Sequence, residues 1–441
     1  MKKVKRGEVI LRGCKKVYIA LAVCLTITTA AQTAGAAETK PVDSAQQQFL
    51  EAMKKRAADK LYDAAADFHN ILTNHPLLQR ARLELAVTYY RLYDYDKARK
   101  LARKVLDDPK TPPNVRVTVL AFMAQINQDA KGMKPGHTWK PSVALGWMHD
   151  TNINVGPSSN VVNIGGALLQ VSPGSQPLSD QATILSANLA HRYETGKTVR
   201  FGQKNANFLW QDNLSLYRRD YYSENAYDLD VVSFSTGPAF VAIKDWRANL
   251  AAQVSYLRLG NRDLAWFSSL LPSYTKQFAN GAYQLSLDGD YTVRIYKRDI
   301  DKGRNSNYLS GQLSIGRTFV RARVGLLAGV RLFRETADKT IYSDTGRDFY
   351  ASISWRPWTN GALYGRINDT HYSYEGKEAL FNRARQERTR KYTLGVSHTF
   401  KYKWLKNWAL SGNYIRTENN SNIDLYEYTR EQTSVTLSRT F

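Results

Sequence analysis

Apolar residues along this chain follow two different periods, and the change falls near Gly136. From Asp43 to about Lys134 they recur three and four positions apart, as in Phe49 and Met53, in Leu61, Ala65, Phe68 and Leu72, and in Leu83 and Val87. That spacing predicts amphipathic helices. Breaks are expected at Asn74-His75-Pro76, Asp108-Pro109 and Pro112-Pro113. The segment also repeats itself: Ala52 returns as Ala86, Ala64 as Ala98, Ile71 as Val105 and Leu72 as Leu106, each 34 positions on, with Pro76 and Pro109 closing the two units. Val115 to Asp129 supplies a third, capping helix.

After Gly136 the period becomes two. Val324, Leu326, Ala328, Val330 and Leu332 alternate with Arg323, Gly325, Gly329 and Arg331; Tyr392, Leu394 and Val396 alternate with Thr393, Gly395 and Ser397. All nine tryptophans lie in this half, from Trp139 to Trp408. A soluble sandwich alternates as well, so the weight rests on repetition across residues 139–441. Apolar-out, polar-in segments of about ten residues predict a transmembrane barrel.

Strands are expected near 140–153, 181–194, 206–220, 228–243 and 246–259, and again near 281–297, 306–319, 321–334, 346–357, 361–374, 388–401, 407–418 and 428–441. That makes thirteen, whereas both barrel ends on one side of the membrane demand an even number. A fourteenth strand near 266–277, turning at 278–281, restores parity. Short connections at 319–320, 356–360 and 401–407 then face the periplasm. Longer ones near 298–305, 335–345, 375–387 and 419–427 face outward. Trp139, Trp246, Trp355, Trp358, Trp404 and Trp408 fall at the periplasmic strand ends, where an aromatic girdle belongs.

The N-terminus supports export. Lys2, Lys3, Lys5, Arg6, Arg12, Lys15 and Lys16 precede an apolar run from Val17 to about Ala31, and Ala34-Gly35-Ala36 fits a cleavage site. The chain therefore divides into a signal peptide (1–36), a periplasmic helical domain (38–134) and an outer-membrane barrel (139–441). Both cysteines, Cys14 and Cys24, lie in the leader, which leaves the mature chain no thiol for a disulfide, a metal or a nucleophile. Of the formal charge of +23, the leader carries +6, leaving +17. A surplus of that size can signal nucleic acid. Here the basic residues are interleaved with tyrosines along strands behind an export signal, so a polar lumen and anionic lipid head groups account for it better.

No catalytic constellation emerges. Histidines 69, 75, 137, 149, 191, 371 and 398 are scattered without metal-ligand spacing. His149 and Asp150 are adjacent on a strand and point to opposite faces. Asp369 and His371 share a face but lack a nucleophile motif. No phosphate loop or cofactor fingerprint is present, so neither an enzyme nor a cofactor is expected.

The start of the barrel is the most specific stretch: Trp139-Lys140-Pro141, a first strand containing Gly146, then Asp150-Thr151-Asn152-Ile153-Asn154. Its polar residues are expected to cap the passage from strand to loop. This motif, the helical pair, the strand count and the terminal Phe441 together resemble the surface lipoprotein assembly modifier family. In that family tetratricopeptide-like helices precede a fourteen-stranded barrel. The resemblance implies delivery of client proteins, surface lipoproteins or soluble secreted proteins, across or onto the outer membrane. By tetratricopeptide geometry it places Phe49, Met53, Arg56, Arg80, Leu83, Val87, Tyr90 and Arg91 on a concave client-binding face. Leu437 and Phe441 resemble the signal read by the barrel-assembly machinery. Implied partners are the client, outer-membrane lipid and that machinery, with no nucleic acid. Rival readings are an exopolysaccharide conduit and a substrate-specific porin.

Overall fold

The computed structural model describes residues 44–164 and 166–441. The expected leader, its cleavage site and both cysteines lie outside the described residues. The chain forms two compact units, one of residues up to Lys134 together with Lys197–Ala206, the other of Pro135–Gly196 and Asn207–Phe441.

Among the described residues the first unit contains five helices: α1 (Ser44–Ala57), α2 (Leu61–Asn74), α3 (Gln79–Arg91), α4 (Tyr95–Leu106) and α5 (Pro113–Gly132). The repeated small residues do what their size dictates. Ala52, Ala64, Ala81, Ala86, Ala98 and Ala102 are fully buried, so neighbouring helices approach closely, the first three around Phe68, Ile71 and Leu85, Ala98 beside Ile126 and Ala102 beside Val105 and Val119. The predicted breaks appear as the ends of α2 and α4, and Pro113 opens α5 at a position where a missing N–H costs nothing. Two further breaks, between α1 and α2 and between α3 and α4, turn through Asp59 and Tyr93 at positive φ.

Residues 197–206, the tip of a strand hairpin, belong to the same unit. Gln203 Oε1 accepts from the backbone N–H groups of Tyr62 and Asp63 (3.1 and 3.2 Å). It thereby caps α2, whose own N-cap residue Lys60 offers no side-chain bond. Asn205 Nδ2 donates to Leu92 O (2.8 Å), the Arg200 guanidinium lies 3.8 Å from the Tyr62 ring centroid, and Lys204 pairs with Asp59.

The second unit is a closed antiparallel barrel of fourteen strands. In chain order these are β1 (Gly136–Asp150), β4 (Asp180–Phe201), β5 (Lys204–Tyr221), β6 (Leu229–Ala242), β7 (Trp246–Leu259), β8 (Arg262–Phe278), β9 (Tyr283–Tyr296), β10 (Ser306–Phe319), β11 (Val324–Ala337), β12 (Asp344–Trp355), β13 (Gly361–Glu378), β14 (Arg383–Thr399), β15 (Trp408–Ser421) and β16 (Tyr428–Thr440). A small hairpin, β2 (Val161–Ile164) and β3 (Ala167–Gln170), sits in the first distal connection. This is the architecture of an outer-membrane barrel behind a short helical region. Large apolar side chains such as Leu145, Leu185, Leu287, Leu332 and Leu394 remain exposed on the outer face. Register places like with like, Leu145 opposite Leu185 and Leu145 opposite Leu437, so the apolar band is continuous around the seam.

The strand inferred only from parity is present as β8, longer than expected. What hid it is its turn. Gly260 and Asn261 both take positive φ (58° each), the geometry of a two-residue hairpin, so no long distal loop marks the boundary. The expected loop 375–387 is likewise mostly strand, since β13 and β14 run on to a turn at 379–382. The expected gap between 194 and 206 is the long β4–β5 hairpin, and β2 and β3 were not expected at all.

Candidate functional site

The opening motif of the barrel is a structural clasp at the distal end of the seam between β1 and β16. Asp150 ends β1 fully buried. Its carboxylate accepts from Arg430 Nε (2.9 and 3.1 Å), Gln432 Nε2 (2.8 Å), the Tyr221 hydroxyl (3.2 Å) and Asn152 N (3.1 Å). The Asn152 side chain accepts from Gly156 N and donates to Gly156 O and Thr429 O. Asn154 Nδ2 donates to Gln176 O, and its Oδ1 accepts from Leu178 N. The alternate spacing of Asp150, Asn152 and Asn154 thus reaches three separate segments. Gly146 has its own reason: a Cβ there would stand 2.7 Å from Thr436 Oγ1 and 2.9 Å from Val435 O across the seam. At the proximal end Trp139 is 56% exposed, and Pro141 O accepts from Phe441 N (3.0 Å). Leu437 pairs with Leu145 in the apolar band.

The inward face carries the chemistry of the lumen, and one wall of it concentrates charge. Across β8 to β14 the inward positions include Arg294, Arg331, Arg366 and Arg385 beside Glu335, Asp344, Asp348 and Glu387. Arg294 Nη1 donates to Glu335 (2.7 Å), which also accepts from Ser306 Oγ (2.6 Å). Asp348, 3% exposed, accepts from Thr370 Oγ1 (2.9 Å) and Asn368 Nδ2 (3.0 Å) with Arg331 at 3.6 Å. Aromatic rings separate these pairs. The Arg294 guanidinium lies 4.6 Å from the Tyr308 ring centroid, Arg366 4.2 Å from Tyr350, and Arg385 3.7 Å from Tyr374 and 4.1 Å from Tyr426. A planar cation on an aromatic face keeps its hydrogen-bonding rim available, and Arg294 and Arg385 turn theirs to Glu335 and Glu387. The remaining inward positions are mostly Ser, Thr, Asn and Gln, as on β10 (Ser306, Ser310, Gln312, Ser314) and β16 (Gln432, Ser434, Thr436, Ser438).

One cluster was invisible in sequence. On the outer face near the proximal end, His137 Nδ1 lies 2.9 Å from His191 Nε2, and His191 Nδ1 lies 2.7 Å from Asp212 Oδ2. Trp139 stacks on His191 (4.0 Å) and Tyr193 on His137 (4.5 Å). These residues come from three strands, so only the register β1–β4–β5 reveals them. Asp369 and His371 share the outer face as expected, 3.6 Å apart, but Arg388 holds the Asp369 carboxylate with two bonds (2.8 and 2.7 Å). No group of three or more His, Cys, Asp or Glu side chains arranged so that it could hold a metal ion occurs among the described residues.

The eight helical residues of the expected groove divide between packing and exposure. Phe49 packs edge-on against Phe68 (5.8 Å) beneath the exposed Arg80 (5.1 Å to the ring). Met53 packs on the same core, and Leu83 on Ala102, Val105 and Val119. Arg56 pairs with buried Glu84; Arg91 donates to Arg56 O (3.0 Å) and pairs with Asp59. Tyr90 donates to Asp129 (2.5 Å) and meets Phe122 edge-on; burial, then Asp129, pushes its hydroxyl ionisation up. Val87 is half-buried.

No family model matches the chain, and no curated protein does. Among solved structures, OprD of Pseudomonas aeruginosa is similar at TM-score 0.35 and 9% identity, over 69% of this chain and 95% of that one. An anion-selective porin from Comamonas acidovorans scores 0.37 at 9% identity, over 70% and 100%. Pseudomonas aeruginosa OpdK, solved with vanillate, scores 0.34 at 9% identity, over 69% and 98%. Likeness of this degree carries no argument about substrate.

Proposed function

We propose that this chain is a substrate-selective outer-membrane channel whose lumen passes hydrophilic solutes. The observation that carries the reading is the inward wall of β8 to β14, where each half-buried arginine stands beside an acid or an aromatic face. Such a wall has no use in an apolar core, because burying charge is costly unless water or a ligand solvates it. Fixed charges of both signs, interleaved with hydroxyl and amide groups, favour polar solutes that are neutral or of mixed charge over simple ions. The test is conductance and solute uptake by the purified full chain in bilayers and liposomes. Arg294→Ala, which leaves Glu335 without its cation, shifts the channel toward cation selectivity.

The second reading is delivery of client proteins, as the family resemblance implies. The helical unit favours it: a solute channel has no need of helices repeating at 34 residues, whereas stacked helix pairs commonly present a binding face. Under this reading the unit stands in the periplasm and the exposed Arg80 above Phe49 is a first contact for a client. Loss of surface display of a neighbouring secreted protein on deletion of this chain, with no solute conductance, would favour delivery.

A further inference from the structure

The outer face of the barrel carries an apolar band, and toward the distal end of β11 to β15 arginines replace it. Register sets them side by side. Arg347 of β12 stands opposite His371 of β13, and His371 stands opposite Arg388 of β14. One step nearer the middle of the strands, Phe349 stands opposite Asp369, and Asp369 opposite Arg390. Residues directly across an antiparallel pair are ~5 Å apart. Three arginines and a histidine therefore share one patch, all on the outer face.

The arginines at this level are not equally matched. Asp369 accepts two bonds from Arg388 (2.8 and 2.7 Å), Arg334 donates to Glu375 (3.2 Å), and Arg416 donates to Glu418 and Glu431 (2.8 Å each). Arg347, which is exposed, and Arg390 have no hydrogen bond or ion pair with any described residue. The acid whose charge reaches Arg390 is Asp369, and Arg388 already occupies that carboxylate. On β5 to β8 the distal belt is closed instead. There Arg218 pairs with Asp220 (2.7 Å), and Arg258 lies 3.6 Å from Asp230. Toward the middle of the strands the patch gives way to Phe349, Ile367 and Leu394, which are 50%, 53% and 61% exposed. Side chains this apolar and this open are the surface that lipid tails cover.

We propose that this patch binds the phosphate of a lipid in the distal leaflet, whose acyl chains lie against Phe349, Ile367 and Leu394. A guanidinium at a lipid-facing edge needs an anion beside it, and its long stem lets it reach the head-group level. A phosphomonoester presents three strong acceptor oxygens, so arginines on separate strands can share it. The planar fork of Arg347 and Arg390 suits that geometry better than the point charge of a lysine. This goes beyond the channel reading and requires only that the barrel spans a membrane.

The test is native mass spectrometry of the full chain in detergent micelles. The probes are lipid A, a glycolipid with two phosphomonoesters, phosphatidylcholine, and inorganic phosphate. Wild type retains lipid A at concentrations at least tenfold below those at which it retains phosphatidylcholine. Arg347→Gln with Arg390→Gln weakens retention of lipid A tenfold or more, whereas Arg218→Gln, in the matched part of the belt, changes it less than twofold. Heat-dependent gel mobility checks that each barrel is folded. Should the double variant not fold, Arg347→Gln alone is used and retains lipid A at least threefold more weakly. Undiminished retention by the arginine variant overturns the proposal, as does an equal loss in Arg218→Gln or phosphatidylcholine held as tightly as lipid A. Inorganic phosphate bound as tightly as lipid A also overturns it, because the site would then be one for a free anion.

Discussion

Asp150→Ala should be among the most damaging single substitutions in the barrel. The side chain has no solvent exposure, and its carboxylate collects bonds from Arg430, Gln432, Tyr221 and the backbone of Asn152. Arg430, with a side chain only 19% exposed, would be left without its counter-ion. Breaking a buried pair by removing one partner costs about 3–5 kcal/mol. The site lies at the strand end, where water reaches more easily, so the lower figure of about 3 kcal/mol is expected, on the order of a hundredfold in the folding equilibrium. Urea unfolding of the barrel in liposomes, followed by tryptophan fluorescence and gel mobility, measures it. Asp150→Ala with Arg430→Met removes both charges and should recover at least about 1 kcal/mol of the loss, because neighbouring sites are not additive. A loss below about 1 kcal/mol for Asp150→Ala, or no recovery in the double variant, refutes the seam-clasp reasoning.

The helical unit offers two further tests. Glu84→Ala strands the half-buried Arg56 and should lower that unit's stability by about 3 kcal/mol, measured by hydrogen exchange in α1 and α3. Asp59 gives a pH window. Burial pushes its carboxyl up, but the Lys204 hydrogen bond and the charges of Lys204 and Arg91 outweigh burial and hold it below the usual carboxylate range. The folded value lies below the unfolded one, so its stabilisation is present above about pH 4 and is lost as pH falls through the folded value. The pair is partly exposed, so exchange at residues 59–63 and 200–206 should change by no more than about 1 kcal/mol between pH 7 and pH 3. Asp59→Asn should abolish that change.

Much of this fold is legible in sequence because its two signals are periodic and long. Alanines 34 residues apart mark helices that cross closely, and alternation marks a wall with lipid on one side. Parity even demanded β8, although Gly260-Asn261 concealed its boundary in a two-residue turn. What sequence could not show is what register creates. His137, His191 and Asp212 are scattered along the chain and meet only because β1, β4 and β5 are neighbours. Asp150 was expected to cap its own loop, and Asn152 and Asn154 do so, but its main partner, Arg430, comes from the last strand. The charged wall was foreseen only as a polar lumen; its pairing of Arg294 with Glu335 and of Arg331 with Asp348 depends on strand neighbours. The residues 197–206 that complete the helical unit carry no helical signal at all.

The channel reading stands most directly on single-channel recording of the purified full chain in planar bilayers, with liposome swelling in neutral sugars alongside. Discrete conductance steps of weak ion selectivity are predicted, with a shift toward cations in Arg294→Ala and swelling in at least one sugar. A silent bilayer and unswollen liposomes, from protein shown by gel mobility to be folded, would contradict it.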